Sequence, residues 1–333
     1  MYMNAIRALR QIAFQLERAG APTYKVRAFR HAADVLTDLP PSAFEAHVHN
    51  GTLQDLPRIG PATRLAIEQA AAGETPTYLA TLLAENPPTT PTVMRTALRG
   101  DCHTHSDWSD GGSPPWEMAE AARDIGHEWV ALTDHSPRLS VANGLSAERL
   151  EQQLRLIDRL NDELAPFRLL TGIEVDILDD GSLDQRPDLL GGLDVVVASV
   201  HSKLRMPGAL MTARMLTAIR DPNVDVLGHC TGRLAGRRGR PESEFDAEQV
   251  FTACREQGVA VEINCRPERR DPPDPLLTMA VELGCVFAID TDAHAPGQLD
   301  WQHDGCVRAE RHEIPADRVV NAWSADALLR WRT

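Results

Sequence analysis

From about residue 96 onward, short β-branched runs alternate with amphipathic helical segments, and this rhythm limits the fold more than any other feature of the chain. The runs are WVALTDH, FRLLTGIEV, DVVVASVH, VDVLGH, GVAVEIN and CVFAIDTDAH, with a weaker one ahead of GDCHTH. Between them stand PPWEMAEAARDIG, SAERLEQQLRLIDRL, ALMTARMLTAIR and DAEQVFTACREQG, whose apolar residues recur every three or four positions. Alternation of strand and helix predicts an α/β fold with a parallel sheet. The seven candidate strands predict closure into a barrel, where functional groups gather at the C-terminal ends of the strands.

The segment before this rhythm is different. Helical spacing appears near residues 3–18, 23–38, 42–49 and 62–72, with Pro and Gly at the joints. In LPRIGPATRLAIEQ, Pro57 and Gly60 make a tight connection into a helix, the pattern of a helix-hairpin-helix. Three prolines without apolar pattern in ENPPTTPT read as a stiff linker. The expected organisation is a helical domain over 1–84, a Pro-rich linker over 85–95 and an α/β domain over 96–333.

Charge and cysteine usage narrow the setting. The formal charge is −14, yet residues 1–90 are balanced, with 8 Lys+Arg against 8 Asp+Glu. All the net acidity lies in the second part. That argues against broad electrostatic binding to nucleic acid unless bound cations and a local basic patch reverse the field near the site. No apolar run approaches the roughly 20 residues needed to span a bilayer, and the amphipathic start reads as a soluble helix. The six cysteines include no CxxC pair, so neither a zinc ribbon nor a disulfide framework is expected and a reducing cytoplasm fits.

The chemistry lies at the ends of the runs. His103 and His105 close the first, His135 the second, Glu174 the third, His201 the fourth and His229 the fifth, while Asp292 and His294 close the last. Because side chains alternate along a strand, His103 and His105 share a face, as do Asp292 and His294. Asp110 lies in the loop above the same mouth and brings the donors to nine. Any one histidine reads equally well as a core or loop residue, but the recurrence at successive strand ends does not. Imidazole and carboxylate donors without thiolate suit Zn, Mn or Fe. Nine donors exceed what one ion uses, so two or three ions are expected, with Glu174 as a bridge. Such a centre suits hydrolysis of a phosphoester. Cys102, Cys230 and Asp134, beside these positions, should face away and pack.

Basic residues follow the same strands. GHCTGRLAGRRGR carries Arg233, Arg237, Arg238 and Arg240, and a second group, Arg266, Arg269 and Arg270, follows the sixth run. Arginine grips phosphate in bidentate fashion, and Arg233, Arg237 and Arg238 are the expected phosphate contacts, with Lys203 as a further one.

Taken together, GDCHTHSDWSDG, ALTDHS, GIEVDI, VVASVHS, LGHCTGRLAGRRG, VEINCRPERRD and IDTDAH resemble the polymerase and histidinol phosphatase (PHP) domain, in the version carried by bacterial family X DNA polymerases. The resemblance runs from about residue 98 to the end, including VVNAWSADALLRW, and YKVRAFRHAADVL and LPRIGPATRLAIEQ resemble the small helical domain of those polymerases. The polymerase catalytic region that separates the two is missing, so nucleotide addition is not expected. The resemblance implies a distorted seven-stranded (β/α) barrel and up to three ions. One would use His103, His105, Glu174 and Asp292, a second Glu174, His201 and His229, and a third Asp110, His135 and His294. It also implies 3′ to 5′ exonuclease, 3′-phosphatase or abasic-site activity, or hydrolysis of histidinol phosphate as in stand-alone members.

Two positions depart from the family pattern. Arg58 replaces the first glycine of the hairpin, which weakens the case for close backbone approach to a DNA phosphate. The helix after it has no lysine, so Schiff-base lyase chemistry there is not expected. The leading expectation is therefore a metal-dependent phosphoesterase acting on DNA ends or nucleotides, with Glu174, Asp292 and His201 in the catalytic centre. The alternatives are a small-molecule phosphatase, such as one for histidinol phosphate, and a non-catalytic DNA-binding or regulatory module.

Overall fold

Apolar residues three and four apart give helix α1 (Tyr2–Arg18) one buried stripe, Ala5, Leu9, Ile12, Ala13 and Leu16. Around it lie α2 (Thr23–Thr37), α3 (Pro41–Asn50), α4 (Pro61–Ala71) and α5 (Thr77–Glu85), which share one core with it. A buried ion pair joins the first two: Arg30 Nε and Nη2 donate to Glu17 Oε1 and Oε2 at 2.9 and 2.7 Å. The computed structural model describes residues 1–87, 89–236 and 239–331, in two units, Met1–Thr90 and Pro91–Thr333. In the hairpin before α4, Arg58 adopts φ 61°, the left-handed conformation that glycine takes without penalty. Proline at the first position of α4 needs no amide partner there, and the Gly60 amide donates to Thr63 Oγ1 at 2.9 Å.

The second unit holds six strands among the described residues: β1 (Trp129–Leu132), β2 (Arg168–Asp176), β3 (Val195–Ser199), β4 (Val226–Leu227), β5 (Ala260–Asn264) and β6 (Phe287–Asp290). They pair in chain order, all in parallel. Helices cover one face, where Ile173, Val175, Val196, Val261 and Ile289 are buried. Alternation then sends the other residues of each strand to the opposite face. That face is apolar at the strand starts, with Trp129, Ala131, Leu170, Val195, Val197, Val226, Ala260 and Ala288 in one cluster. Toward the strand ends the same parity yields His135, Glu174, His201, Glu262, Asn264 and Asp292.

The weak first run forms no strand. Thr104 alone makes parallel bridges, to Leu132 at the end of β1 and to Ala293 just beyond β6. Side chains take amides that a ladder would otherwise use: Cys102 N donates to Asp290 Oδ1 at 2.9 Å, His103 N to Asp101 Oδ1 at 3.1 Å and Thr104 N to Thr133 Oγ1 at 3.0 Å. The regular sheet thus has six strands where seven were expected, and Thr104 links its two edge strands. No described helix is long and apolar enough to cross a membrane.

Candidate metal centre

Glu174, near the end of β2 and 1% exposed, sits among five imidazoles. Its Oε2 lies 3.4 Å from His103 Nε2, 3.6 Å from His105 Nε2 and 2.7 Å from His135 Nδ1. Its Oε1 lies 3.2 Å from His201 Nε2 and 2.9 Å from His229 Nε2. Asp110 Oδ1 is 3.3 Å from His294 Nε2 and 3.5 Å from His135 Nε2, and Asp292 Oδ1 is 3.5 Å from His105 Nε2. All nine predicted donors therefore gather at one mouth. By mutual distance they form overlapping groups: His105, Asp110, His135 and His294; His103, His105 and Glu174; and His135, Glu174 and His201.

These residues fit divalent cations. Ligand atoms bonded at about 2.0–2.1 Å in a tetrahedron stand roughly 3.3 Å from one another. Most of the pairs above lie between 3.2 and 3.6 Å, too long or too poorly angled for hydrogen bonds. His103 Nε2, both ring nitrogens of His105 and His201, and Glu174 Oε2 are buried without a hydrogen-bond partner. Unsatisfied buried polar atoms converging on one point are the mark of a missing common partner. The outward nitrogens are held as ligation requires: His103 Nδ1 contacts Glu262 Oε1 at 2.5 Å, and His294 Nδ1 contacts the Asp292 carbonyl at 2.8 Å.

The electrostatics point the same way. Burial works to raise the Glu174 pKa, but His201, His103 and His135 together hold it well below the usual carboxylate range. Burial likewise opposes ionisation of Asp292, and Arg266, Arg269 and His105 hold its pKa well below normal. His105 is kept neutral by burial and by the neighbouring His294 and His135. Burial disfavours a charged His201, yet Glu174 and Asp176 raise it to about 9. A field that draws a proton there draws a cation more strongly.

Local folding places each donor. Asp134 accepts from Ser106 N, Ser106 Oγ and Gln153 Nε2 at 2.8, 2.6 and 2.6 Å and from Ser109 Oγ at 2.5 Å, folding the HSDWSDG loop so that Asp110 meets His135 and His294. A side chain at Gly111 would press its Cβ to 2.6 Å from the Ser106 backbone. Cys102 and Cys230 are buried in packing clusters. Asp292 has φ 53°, a strained backbone of the kind that collects at functional sites.

The basic candidates divide. Lys203 is tied to Asp179 and 64% exposed, with no contact to the nine donors. Arg233 donates from Nε to the Arg269 carbonyl at 2.8 Å and from Nη1 to Glu242 at 3.3 Å, again away from the donors. Arg237 and Arg238 lie outside the described residues. It is the second group that reaches the centre: Arg269 Nε donates to Asp292 Oδ2 at 2.9 Å, and Arg266 Nη1 stands 3.5 Å from Asp292 Oδ1. Arg269 Nη1 is buried without a partner. Sequence reasoning passed over Glu262 and Asn264; the signal was their parity with Ala260 on β5, which turns both toward the donors.

Residues 101–266 match the PHP domain model and residues 3–75 a helix-hairpin-helix domain. The DNA polymerase/3′-5′ exonuclease PolX of Bacillus subtilis is 43% identical over 227 residues, which is 68% of this chain and 40% of that protein. A protein named a probable phosphatase in Thermoanaerobacter sp. strain X514 is 30% identical over 232 residues, covering 66% of this chain and 89% of the relative. The chain is a PHP-domain protein. It spans about two fifths of the Bacillus polymerase and most of the named phosphatase. Histidinol phosphate phosphatase from Lactococcus lactis, solved with zinc, L-histidinol and phosphate, has 18% identity and a TM-score of 0.47, covering 64% of this chain and 92% of that one. The PHP match ends before Asp292 and His294, which follow β6 and reach the other donors beside the Thr104–Ala293 bridge.

Proposed function

We propose that this PHP protein is a divalent-cation-dependent phosphoesterase acting on the ends of DNA strands. The observation that carries the reading is the buried Glu174 carboxylate, each oxygen facing a different set of imidazoles at ligand spacing. Two or three ions of Zn, Mn or Fe suit nine nitrogen and oxygen donors without thiolate. By mutual distance His105 joins Asp110, His135 and His294, His103 and His105 stand with Glu174 without Asp292, and His135 stands with Glu174 and His201 where the family grouping has His229. The Thr104 bridges favour a distorted barrel closed by a vestigial seventh strand. Six buried free thiols suit a reducing cytoplasm.

Cations held there supply Lewis acidity toward a phosphoryl oxygen and acidify a water. The chain's own groups do the rest. Glu174 and Asp292 stay ionised, His103 and His294 are fixed in the tautomer that leaves Nε2 free, and the Asp134 network holds Asp110 at the mouth. Arg269, anchored through Nε on Asp292, keeps Nη1 for a substrate phosphate, a role expected from the sequence for Arg233, Arg237 and Arg238, with Lys203 as a further contact. The Bacillus polymerase relative and the helix-hairpin-helix match favour DNA ends over a small phosphate monoester.

Metal-loaded protein assayed on DNA with free 3′ ends, 3′-phosphorylated DNA, histidinol phosphate and an aryl phosphate tests the reading. Chelator-sensitive turnover on the DNA substrates is expected, with Glu174→Gln folded and lower by several orders of magnitude. Turnover of histidinol phosphate alone replaces it with the small-molecule phosphatase. No turnover of any substrate at saturating metal leaves a binding module.

A further inference from the structure

Among the described residues of the acidic second unit, a groove is lined mainly by arginine. It has a volume of about 410 Å³ and is lined by Arg233, Arg270, Arg308 and Arg311 against Asp274 and Asp304. Four guanidinium groups face two carboxylates there, whereas residues 91–333 as a whole carry 26 Lys+Arg against 40 Asp+Glu. Arg308 is the best-buried of the four, its side chain 10% exposed. It donates from Nε and Nη2 to Asp274 Oδ1 at 3.3 and 3.1 Å and from Nη2 to the Pro272 carbonyl. Its Nη1 is buried with no hydrogen-bond partner. The fixed charge of Arg308 adds to those of the exposed Arg270 and Arg311, whose guanidinium groups are the ones an anion in the groove can reach.

The groove adjoins the metal centre along the chain. Arg269 sends Nε to Asp292, and the next residue, Arg270, adopts φ 48° and sends its guanidinium the other way, 3.7 Å from Asp304 on the groove wall. Successive α-carbons are about 3.8 Å apart, so one turn of backbone carries both an arginine of the centre and an arginine of the groove. Arg233 closes the join, donating to the Arg269 carbonyl while lining the groove. The prolines at 273 and 275 add an apolar floor beside the charges.

We infer that this groove binds a phosphodiester next to the one hydrolysed, so that the preferred substrate is a nucleic acid strand carrying at least two phosphates. The inference rests on the phosphoesterase reading above and names the feature that selects a strand over a monoester. A monoester reaches the centre alone. A strand also places its neighbouring phosphate against the exposed Arg270 and Arg311, with the charge of Arg308 behind them.

The test uses the full chain loaded with Mn²⁺, a short single-stranded deoxyoligonucleotide and an aryl phosphate, with kcat/KM measured on both across a salt series. Arg270 and Arg311 are exposed, so Arg270→Ala with Arg311→Ala leaves the buried Arg308 anchor in place. That double variant is expected to lower the ratio of oligonucleotide to aryl phosphate kcat/KM roughly tenfold or more. It should also flatten the salt dependence of oligonucleotide binding by about one to two phosphate contacts. Asp304→Asn removes a competing carboxylate and is expected to tighten oligonucleotide binding roughly twofold or more, a gain that a purely structural role would not give. An unchanged ratio in the double variant, with the oligonucleotide still cleaved, overturns the groove and leaves the DNA-end reading standing. Aryl phosphate turnover with no oligonucleotide cleavage by the unmodified chain overturns both.

Discussion

Replacing Glu262 by Gln separates a role in orienting ligands from one in filling space. Glu262 is fully buried on β5, and its carboxylate accepts from His103 Nδ1 at 2.5 Å, from the His229 amide at 2.5 Å and from Asn264 Nδ2 at 3.2 Å. Glutamine keeps the volume but has one oxygen instead of two. If that oxygen takes the His103 proton, the amide nitrogen faces the His229 N–H, and a buried donor goes unpaired at about 1–3 kcal/mol. If the side chain flips, His103 must accept at Nδ1 and carry its proton on Nε2, the atom 3.4 Å from Glu174 Oε2. Its lone pair is then lost to an ion. Partners of this kind are worth about 10- to 100-fold in metal affinity, or roughly 1.4–2.7 kcal/mol. Competition with a chromophoric chelator on stripped protein, together with urea unfolding of the same samples, reads both quantities. Zn²⁺ affinity within about twofold of the unmodified protein, with stability also unchanged, would refute the orienting role, since one placement of the amide costs the His103 lone pair and the other leaves the buried His229 amide unpaired.

Other consequences follow from single features. Arg30→Ala removes the bidentate hydrogen bonds to the buried Glu17 and is expected to cost the helical unit about 1.5–3 kcal/mol, read by helical circular dichroism in urea; a cost under about 0.5 kcal/mol contradicts this. Arg58→Gly relieves a left-handed arginine and is expected to hold or raise stability by up to about 1 kcal/mol, with clear destabilisation counting against the strain. Burial, reinforced by the Arg95 charge and only partly offset by Gln302, pushes His127 down to about 3 from the ordinary 6.5. The folded form therefore binds fewer protons than the unfolded chain, so its contribution is complete above about pH 6.5 and is lost as pH falls toward 3, with a limiting slope of about 1.4 kcal/mol per pH unit. Between pH 7 and 5 the unmodified chain should lose about 2 kcal/mol more than His127→Phe in urea titrations; equal losses would exclude the buried neutral imidazole.

Parity along strands was legible in the sequence because it needs only the two-residue period. It paired His103 with His105 and Asp292 with His294, and the ends of the runs gave His135, Glu174 and His201, before any tertiary contact was known. Four helices of the first unit, α1 to α4, were readable for a similar reason, one apolar stripe per helix, whereas α5 was not expected. The strand ahead of His103 was not, because side chains take over its backbone hydrogen bonds: Asp101 from within the run, and Thr133 and Asp290 from far along the chain. Arg269 and Lys203 show the same limit. Both look like loop cations near a ligand, but only the turn through Arg270 at φ 48° aims Arg269 inward, while Asp179 draws Lys203 outward.

The central claim, that these nine side chains hold cations that the chain uses to hydrolyse phosphate esters, is tested most directly by metal titration of chelator-stripped protein with turnover followed at each step. The substrate is a DNA strand with a free 3′ end, and bound Mn²⁺ is counted by elemental analysis of the same samples. No turnover is predicted at zero metal, and activity should level off at two to three bound ions per chain. Turnover that survives complete removal of metal, or a fully loaded protein that cleaves no phosphate ester, would contradict it.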